Sequence, residues 1–293
     1  MRSLSPTDFV SVCFLSFLTL LNCFFFSSIP NALFFILVNC VVSFGIFFLS
    51  KSENKILRVI YAWYPLVLIP LAFKETYGMI HPLWQYDFDD VLIVIDKWMF
   101  GTNPTQWLQK ISSPFLTEIL QLAYTSYYFL FLLLGIELFR RESKNDFHYT
   151  VFCIVYGFFL SYIGYFLVPA VGPRFTLHNF SQLDTELPGM FLTNFCREII
   201  NAGESIPANI SNPIDVVQRD VFPSGHTQLT LIVMFLANKF CIKTRWIIFI
   251  AGTLLVFSTV YLRYHYAVDV LAGIIFMLLT IVTARKFYTI PQR

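Results

Sequence analysis

Residues 266–285 read YAVDVLAGIIFMLLTIVTAR: one acidic residue near the front, then fifteen uncharged residues, then an arginine. A helix needs about 20 apolar residues to cross the hydrocarbon core of a bilayer, and this stretch supplies them. Seven more runs of the same kind precede it, at 9–27, 31–50, 56–73, 116–139, 149–168, 226–240 and 246–262. The whole chain of 293 residues is 57% hydrophobic and 13% charged, against about 25% charged in a soluble domain. A water-soluble core of this size cannot hide so much apolar surface, and 34 phenylalanines push the same way. The expectation is an all-α integral membrane protein with about eight transmembrane helices. The net charge of +2 is small and dispersed, so no basic stripe suggests nucleic acid.

The charges orient the bundle. The clusters Lys51/Lys55/Arg58, Arg140/Arg141/Lys144, Lys239/Lys243/Arg245 and Arg285/Lys286/Arg293 fall on one side of an eight-span arrangement. With Arg2 that side holds 13 of the 20 Lys and Arg, and only 5 of the 18 Asp and Glu. Positive residues stay cytoplasmic, so both termini are expected inside. Arg2 followed by an apolar stretch imitates a signal peptide, but no small-x-small cleavage site follows, and a retained first span is expected. Two long segments, 74–115 and 169–222, then lie outside. The first contains 84–100, acidic then apolar with Trp98 near its end, which reads as a helix lying in the interface. The second is rich in Pro, Gly, Asn and Asp and reads as an ordered loop. It holds two matches to the glycosylation acceptor pattern, at Asn179 and Asn209.

Three clusters that carry chemistry fall on the outer face: Gly172-Pro173-Arg174, Pro223-Ser224-Gly225-His226, and Arg263-Tyr264-His265-Tyr266-Ala267-Val268-Asp269. Ionisable groups at membrane depth are costly and usually functional. Pro223 and Ser224 suit a helix start, and Gly225 lets an anion approach the free amides there. An ordinary capped helix reads the same way, so the tetrapeptide alone leaves both readings open. His265 and Asp269 are spaced to share a helix face and to hydrogen-bond, which would fix the imidazole tautomer and sharpen its nucleophilicity. A paired core histidine has the same spacing, but Arg263 two residues upstream asks for a common reason. Arg174 offers forked donors to phosphate oxygens, although alone it could anchor a head group. Together the clusters contain what phosphoryl transfer requires: positive charge for the equatorial oxygens, a nucleophile and a proton donor.

These clusters resemble the type 2 phosphatidic acid phosphatase (PAP2) superfamily over roughly residues 168–273. The Pro-Ser-Gly-His tetrapeptide and the His-x-x-x-Asp spacing match without change. The family's first motif has a lysine seven residues before its arginine, where Leu167 stands here, and a proline after it, where Phe175 stands. Its third motif has an arginine six residues before the histidine, where Thr259 stands, and Arg263 lies two before His265 instead. Both departures resemble the branch of the fungal inositol phosphorylceramide synthases, with Gly-Pro-Arg and Arg-x-His-Tyr-x-Val-Asp. Residues Asp96 to Pro104 and Tyr124-Thr125-Ser126-Tyr127 extend the likeness.

The resemblance implies a PAP2-type helical catalytic core in 76–293, preceded by N-terminal membrane helices in 1–75. It implies no cofactor and no metal. His265 would attack phosphorus, Asp269 would orient it, and His226 would protonate the leaving oxygen. Arg174, Arg263 and the amides near Ser224 and Gly225 would hold the phosphate. With water as acceptor the enzyme is a lipid phosphate phosphatase, acting on phosphatidic acid, phosphatidylglycerophosphate or a polyprenyl diphosphate. With a lipid hydroxyl it is an inositolphosphotransferase-like enzyme, and the branch resemblance tips towards this. The partners expected are a lipid phosphate and the bilayer, with the site on the non-cytoplasmic face and a bacterial inner membrane favoured over Golgi or ER. A vanadate-dependent haloperoxidase shares the motifs but is typically soluble, which the apolar runs oppose. A transporter would not need a histidine–aspartate pair beside a phosphate cradle.

Other ionisable residues are expected to be bland. Asp87, Asp89, Asp90 and Asp96 read as caps and the solvated face of the interfacial helix. His148 falls inside, and His81 and His178 read as loop histidines without partners. Five cysteines, Cys13, Cys23, Cys40, Cys153 and Cys241, belong to or border apolar runs, and Cys196 alone lies in a polar loop, so no disulfide or zinc site is expected. The orientation is checked with single engineered cysteines: one at position 180 should react with a membrane-impermeant maleimide in intact cells, one at 144 only after permeabilisation. Labelling at 144 from outside would overturn it.

Overall fold

The computed structural model describes residues 4–142, 144–207, 210 and 212–288; Arg2, Arg293 and Asn209 lie outside them. Among the described residues there is no strand. The α-helices are α1 (Pro6–Phe24), α2 (Ala32–Lys51), α3 (Lys55–Trp63), α4 (Pro65–Leu83), α5 (Asp89–Phe100), α6 (Pro104–Leu108), α7 (Pro114–Thr125) and α8 (Tyr127–Phe139). They continue as α9 (Asn145–Leu167), α10 (Pro173–Thr176), α11 (Leu183–Glu186), α12 (Thr193–Gly203), α13 (Gly225–Lys239), α14 (Arg245–Tyr261) and α15 (Ala267–Tyr288).

Local chemistry sets the helix starts. Ser5 and Asp8 form a reciprocal capping box around Pro6, Asn54 accepts from the Ile56 and Leu57 amides, and Ser113 caps a helix that opens on Pro114. Each satisfies amides that have no partner inside the helix.

All eight expected runs are helical, but they are not eight unbroken spans. By length and composition α1, α2, α9 and α15 can cross a membrane. The pairs α3–α4 and α7–α8 are bent by 41° and 49°, and counting each as one span gives six. Pro65 lies at the first break, where it removes an amide from the ladder. α13 and α14, with 15 and 17 residues, reach only about 22 and 26 Å.

α9 and α13 are the centre of the bundle. α13 packs against α8, α9, α14 and α15, while α9 also meets α1, α4 and α15. The core between them is aliphatic and aromatic, with Phe152, Val155, Leu229, Ile232, Val233 and Leu236 fully buried. The outward faces of α1 and α2 carry Phe9, Phe24, Phe34, Phe44 and Phe48, all exposed, as lipid-facing surfaces do. The expected division at 75/76 falls inside α4.

Polar side chains join the N-terminal helices. Glu75 of α4 is fully buried and its Oε1 accepts from Asn22 Nδ2 of α1 and Asn39 Nδ2 of α2, both at 2.8 Å. Side-chain hydrogen bonds of this kind hold membrane helices together where no hydrophobic force can. Asn39→Leu should remove one donor and lower thermal stability in detergent by about 1 kcal/mol or more, since it leaves a buried carboxyl under-bonded. An unchanged melting temperature would show the cluster to be idle.

Candidate active site

Two acidic side chains of α5 hold the motif segments together. Asp89 accepts from the Val171 and Gly172 amides (2.9 and 2.8 Å) and from the Tyr266 hydroxyl (2.7 Å). Asp96 accepts from the Ala267 and Val268 amides (2.9 and 2.8 Å), the first turn of α15. Both are buried, at 4% and 1% exposure, and burial raises both carboxyls above their ordinary pKa. This corrects the expectation of a solvated acidic face, which holds for Asp90 alone, exposed on α5. Asp87 pairs with Arg219. Among the described residues no group of three His, Cys, Asp or Glu is arranged to hold a metal ion.

The Gly172 turn is tight. Its φ is 97°, and a Cβ there would stand 3.0 Å from the Tyr264 carbonyl oxygen and 3.1 Å from Val221, so glycine is required. Arg174 follows, its backbone amide donating to the Arg263 carbonyl (3.1 Å). The first and third clusters are therefore stitched by backbone.

Ser224 caps α13, its Oγ accepting from the Thr227 amide (3.2 Å). Its own amide donates to the Asp269 carbonyl (3.0 Å). The Ser224 amide expected to meet phosphate is thus committed elsewhere, and the amides left at this helix start are those beyond it. A Cβ on Gly225 would lie 2.4 Å from the Tyr165 hydroxyl, so only glycine fits. His226 lies between two tyrosines supplied by the α7–α8 break. Tyr124 stacks on it at 4.5 Å between centroids, and Tyr127 tilts against it at 4.4 Å.

His265 lies in the turn before α15 rather than on the helix. Its Nδ1 is 2.9 Å from the Val221 carbonyl oxygen and 3.6 Å from Asp269 Oδ2. A carbonyl only accepts, so Nδ1 carries the proton and Nε2 keeps its lone pair. Asp269 Oδ2 accepts from the Tyr266 amide (2.7 Å), leaving Oδ1 buried with no hydrogen-bond partner among the described residues. The direct His265–Asp269 hydrogen bond expected from the spacing is replaced by one to backbone, with the carboxylate one step further out. The centroids of His226 and His265 are 5.8 Å apart.

The two arginines diverge. Arg174 is 3% exposed, stacked 4.7 Å over the Tyr264 ring and ion-paired with Glu204. Arg263 adopts a left-handed φ of 68° at the end of α14, where the Arg263 and Tyr264 amides reach back to the Val260 and Thr259 carbonyls. Glycine usually fills that position. The Arg263 side chain is fully buried and pairs with Glu186, while Nε and Nη2 have no hydrogen-bond partner among the described residues.

A cavity of about 320 Å³ opens beside His226 and Gly225, lined also by Lys74, Tyr124, Tyr127, Glu204 and Asp220. A wider groove of about 870 Å³ runs over residues 175–181 and touches neither His226 nor His265. Lys74, Glu204 and Asp220 belong to no sequence cluster. The Lys74-Glu75 pair at the end of an apolar run is the one readable signal among them. His178, expected to lack partners, is 3.0 Å from Thr105 Oγ1, and His81 lies in the last turn of α4. Cys153 and Cys196 are buried, and all six cysteines are free.

Residues 91–283 match the family described as the PAP2 superfamily. The chain belongs to the PAP2 superfamily. The match begins inside α5 and takes in Asp96, both histidines, Arg174 and Arg263, and leaves α1–α4 outside the PAP2 region. A PA-phosphatase related-family protein of Dictyostelium discoideum is 29% identical over a 210-residue alignment that covers 65% of this chain and 35% of the relative. The chain thus spans about a third of that PAP2-like relative's length. No solved structure matches.

Burial is the main cause that pushes His265 down to about 4, with Arg174 adding to it, and Asp220 and the Val221 carbonyl opposing it. Protonation would remove the lone pair, so activity carried by His265 is present above its folded pKa and lost as pH falls through it. If His265 is the nucleophile, the acid limb of kcat/KM should therefore lie near 4. A limb at the ordinary histidine value of 6.5 would show that His265 is solvated.

Proposed function

We propose that this PAP2 chain is a membrane lipid phosphoesterase that works through a phosphohistidine on His265. The observation that carries the reading is the pairing of the two imidazoles, 5.8 Å apart, with His265 Nδ1 turned to a carbonyl so that Nε2 is the nucleophile. Nε2 attacks phosphorus, and the bond to the leaving oxygen breaks as His226 delivers a proton to it. His226 then takes a proton from the acceptor, whose oxygen displaces His265. Arg174, Arg263 and the amide of Gly225 are assigned to the phosphate oxygens, and Asp269, 3.6 Å from Nδ1, to stabilising the imidazolium formed on phosphorylation. Positive charge comes from arginine, so no metal is needed.

The acceptor divides two readings. Water gives a lipid phosphate phosphatase, which the printed name of the Dictyostelium relative favours. A lipid hydroxyl gives head-group transfer of the inositolphosphotransferase kind, supported by the pattern of Gly172-Pro173-Arg174 and of Arg263 to Asp269. Labelled phosphatidic acid and phosphatidylinositol, each with and without ceramide, separate them by product. The proposed topology has eight crossings with the site on the non-cytoplasmic face. The short α13 and α14 support a site recessed below that surface.

The roles are tested by trapping acid-labile phosphoenzyme in rapid quench. His265→Ala should abolish both the intermediate and turnover. His226→Ala should slow turnover by about 100-fold or more, and less on a nitrophenyl phosphate, whose leaving group needs no proton. Asp269→Asn should fold and lose activity. Phosphoenzyme persisting in His265→Ala would reverse the roles, and its absence from wild type would favour direct in-line attack.

A further inference from the structure

Arg174, the residue assigned to the phosphate, is already occupied. Its Nη2 pairs with the Glu204 carboxylate and its Nη1 donates to Asn201 Oδ1 (3.4 Å). Its planar face is covered by Tyr264 on one side of the contact and Phe175 beside it, each 4.7 Å from the guanidinium carbon. A guanidinium grips phosphate through two parallel donors, and both terminal nitrogens are taken. His265 is equally shut away, at 4% exposure. A phosphoryl group reaches these two side chains only if something yields.

Both occupants stand on one element. Asn201 lies in the last turn of α12 and Glu204 closes it, with Ser205 next in a left-handed conformation, φ 64°. The two ends of α12 are held differently. At the start, the Glu118 carboxylate of α7 accepts from the amides of Met190, Phe191, Leu192 and Thr193 and from the Thr193 hydroxyl, at 2.6 to 3.3 Å. At the finish, apart from Arg174, the contacts are Lys74 Nζ donating to the Gly203 carbonyl (2.6 Å) and Ser205 Oγ (2.9 Å), and Gln218 donating to the same carbonyl (3.2 Å). Glu204 and Lys74 also line the cavity beside His226. The start is pinned to the bundle, and the finish rests on Gln218 and on two cations whose other natural ligand is phosphate.

We propose that Glu204 is a displaceable stand-in for the substrate: its carboxylate holds Arg174 in the resting enzyme, and the lipid's phosphoryl group binds by pushing it off, freeing the end of α12. This rests on Arg174 being part of the phosphate cradle. The stand-in keeps the buried guanidinium neutralised between turnovers, because an unpaired buried charge is costly. It also taxes every anion by the same factor, since the apparent affinity is the intrinsic one reduced by the fraction of enzyme with Arg174 free.

That equal factor is the signature to measure. In the full-length protein in detergent, Glu204→Gln should lower both KM for phosphatidic acid and the inhibition constant of orthophosphate, each by about tenfold, with kcat changed far less. Orthophosphate should also raise the melting temperature of the variant at lower concentrations than in wild type, a reading that needs no turnover. A residue that contacts the lipid instead would shift KM without shifting orthophosphate, or raise both, and either result overturns the proposal, as does no change. Arg174→Gln separates the two layers. If it leaves orthophosphate inhibition intact, the cradle assignment itself fails. If it removes inhibition while Glu204→Gln changes nothing, only the stand-in fails.

Discussion

Four backbone amides bound by two carboxylates hold this enzyme's site together. Asp89 fixes the Gly172 turn and the Tyr266 hydroxyl, and Asp96 caps α15 from another helix. Two segments far apart in sequence are thereby referenced to one short helix. The amides concerned are those a turn and a helix start cannot satisfy internally. In a low-dielectric setting each such bond is stronger, and its loss dearer, than in water. Beyond α5, the first and third clusters share the Arg174–Arg263 backbone bond and the Arg174–Tyr264 contact, and the Ser224–Asp269 backbone bond sets the third cluster against the start of α13.

His265 takes its tautomer from backbone for a related reason. Asp269 does not bond it directly: Oδ2 accepts from the Tyr266 amide, which closes the start of α15, and lies 3.6 Å from Nδ1. The Val221 carbonyl then takes the Nδ1 proton. A neutral acceptor leaves a buried imidazole uncharged at rest, as burial also demands. In the proposed mechanism the carboxylate at 3.6 Å would gain its full effect only once phosphorylation made the ring cationic. Stabilisation realised late in the reaction is the kind that accelerates it.

Much of this was legible in the residues, and the failures share a cause. Apolar runs located every long helix because lipid imposes length and composition together. The break after Thr125 was not legible, although it sets Tyr124 and Tyr127 against His226. No proline marks it; the Thr125 and Ser126 hydroxyls bond back to the Gln121 and Ala123 carbonyls there. The motif clusters marked the histidines and arginines because crowding several ionisable groups at one membrane helix end is costly and persists where function uses them. Asp89 and Asp96 were misread because an acidic residue facing loop backbone and one facing water share the same helical pattern. Glu204 and Asp220 carried no local signal, since only the folding of the outer loop sets them beside Arg174, Lys74 and His265.

The N-terminal helices belong with the site even though the family region begins after them. α4 presents two adjacent ionisable residues in different directions. Lys74 reaches the end of α12 and the catalytic cavity, while Glu75 binds Asn22 and Asn39 of α1 and α2. Consecutive positions on a helix point about 100° apart, so one turn of α4 faces the chemistry on one side and the added helices on the other. A polar group buried in the bundle needs partners, and Glu75 has them only while α1 and α2 are docked. The height of α4 in the membrane, and with it the reach of Lys74 into the site, is therefore set by helices that contribute no catalytic group.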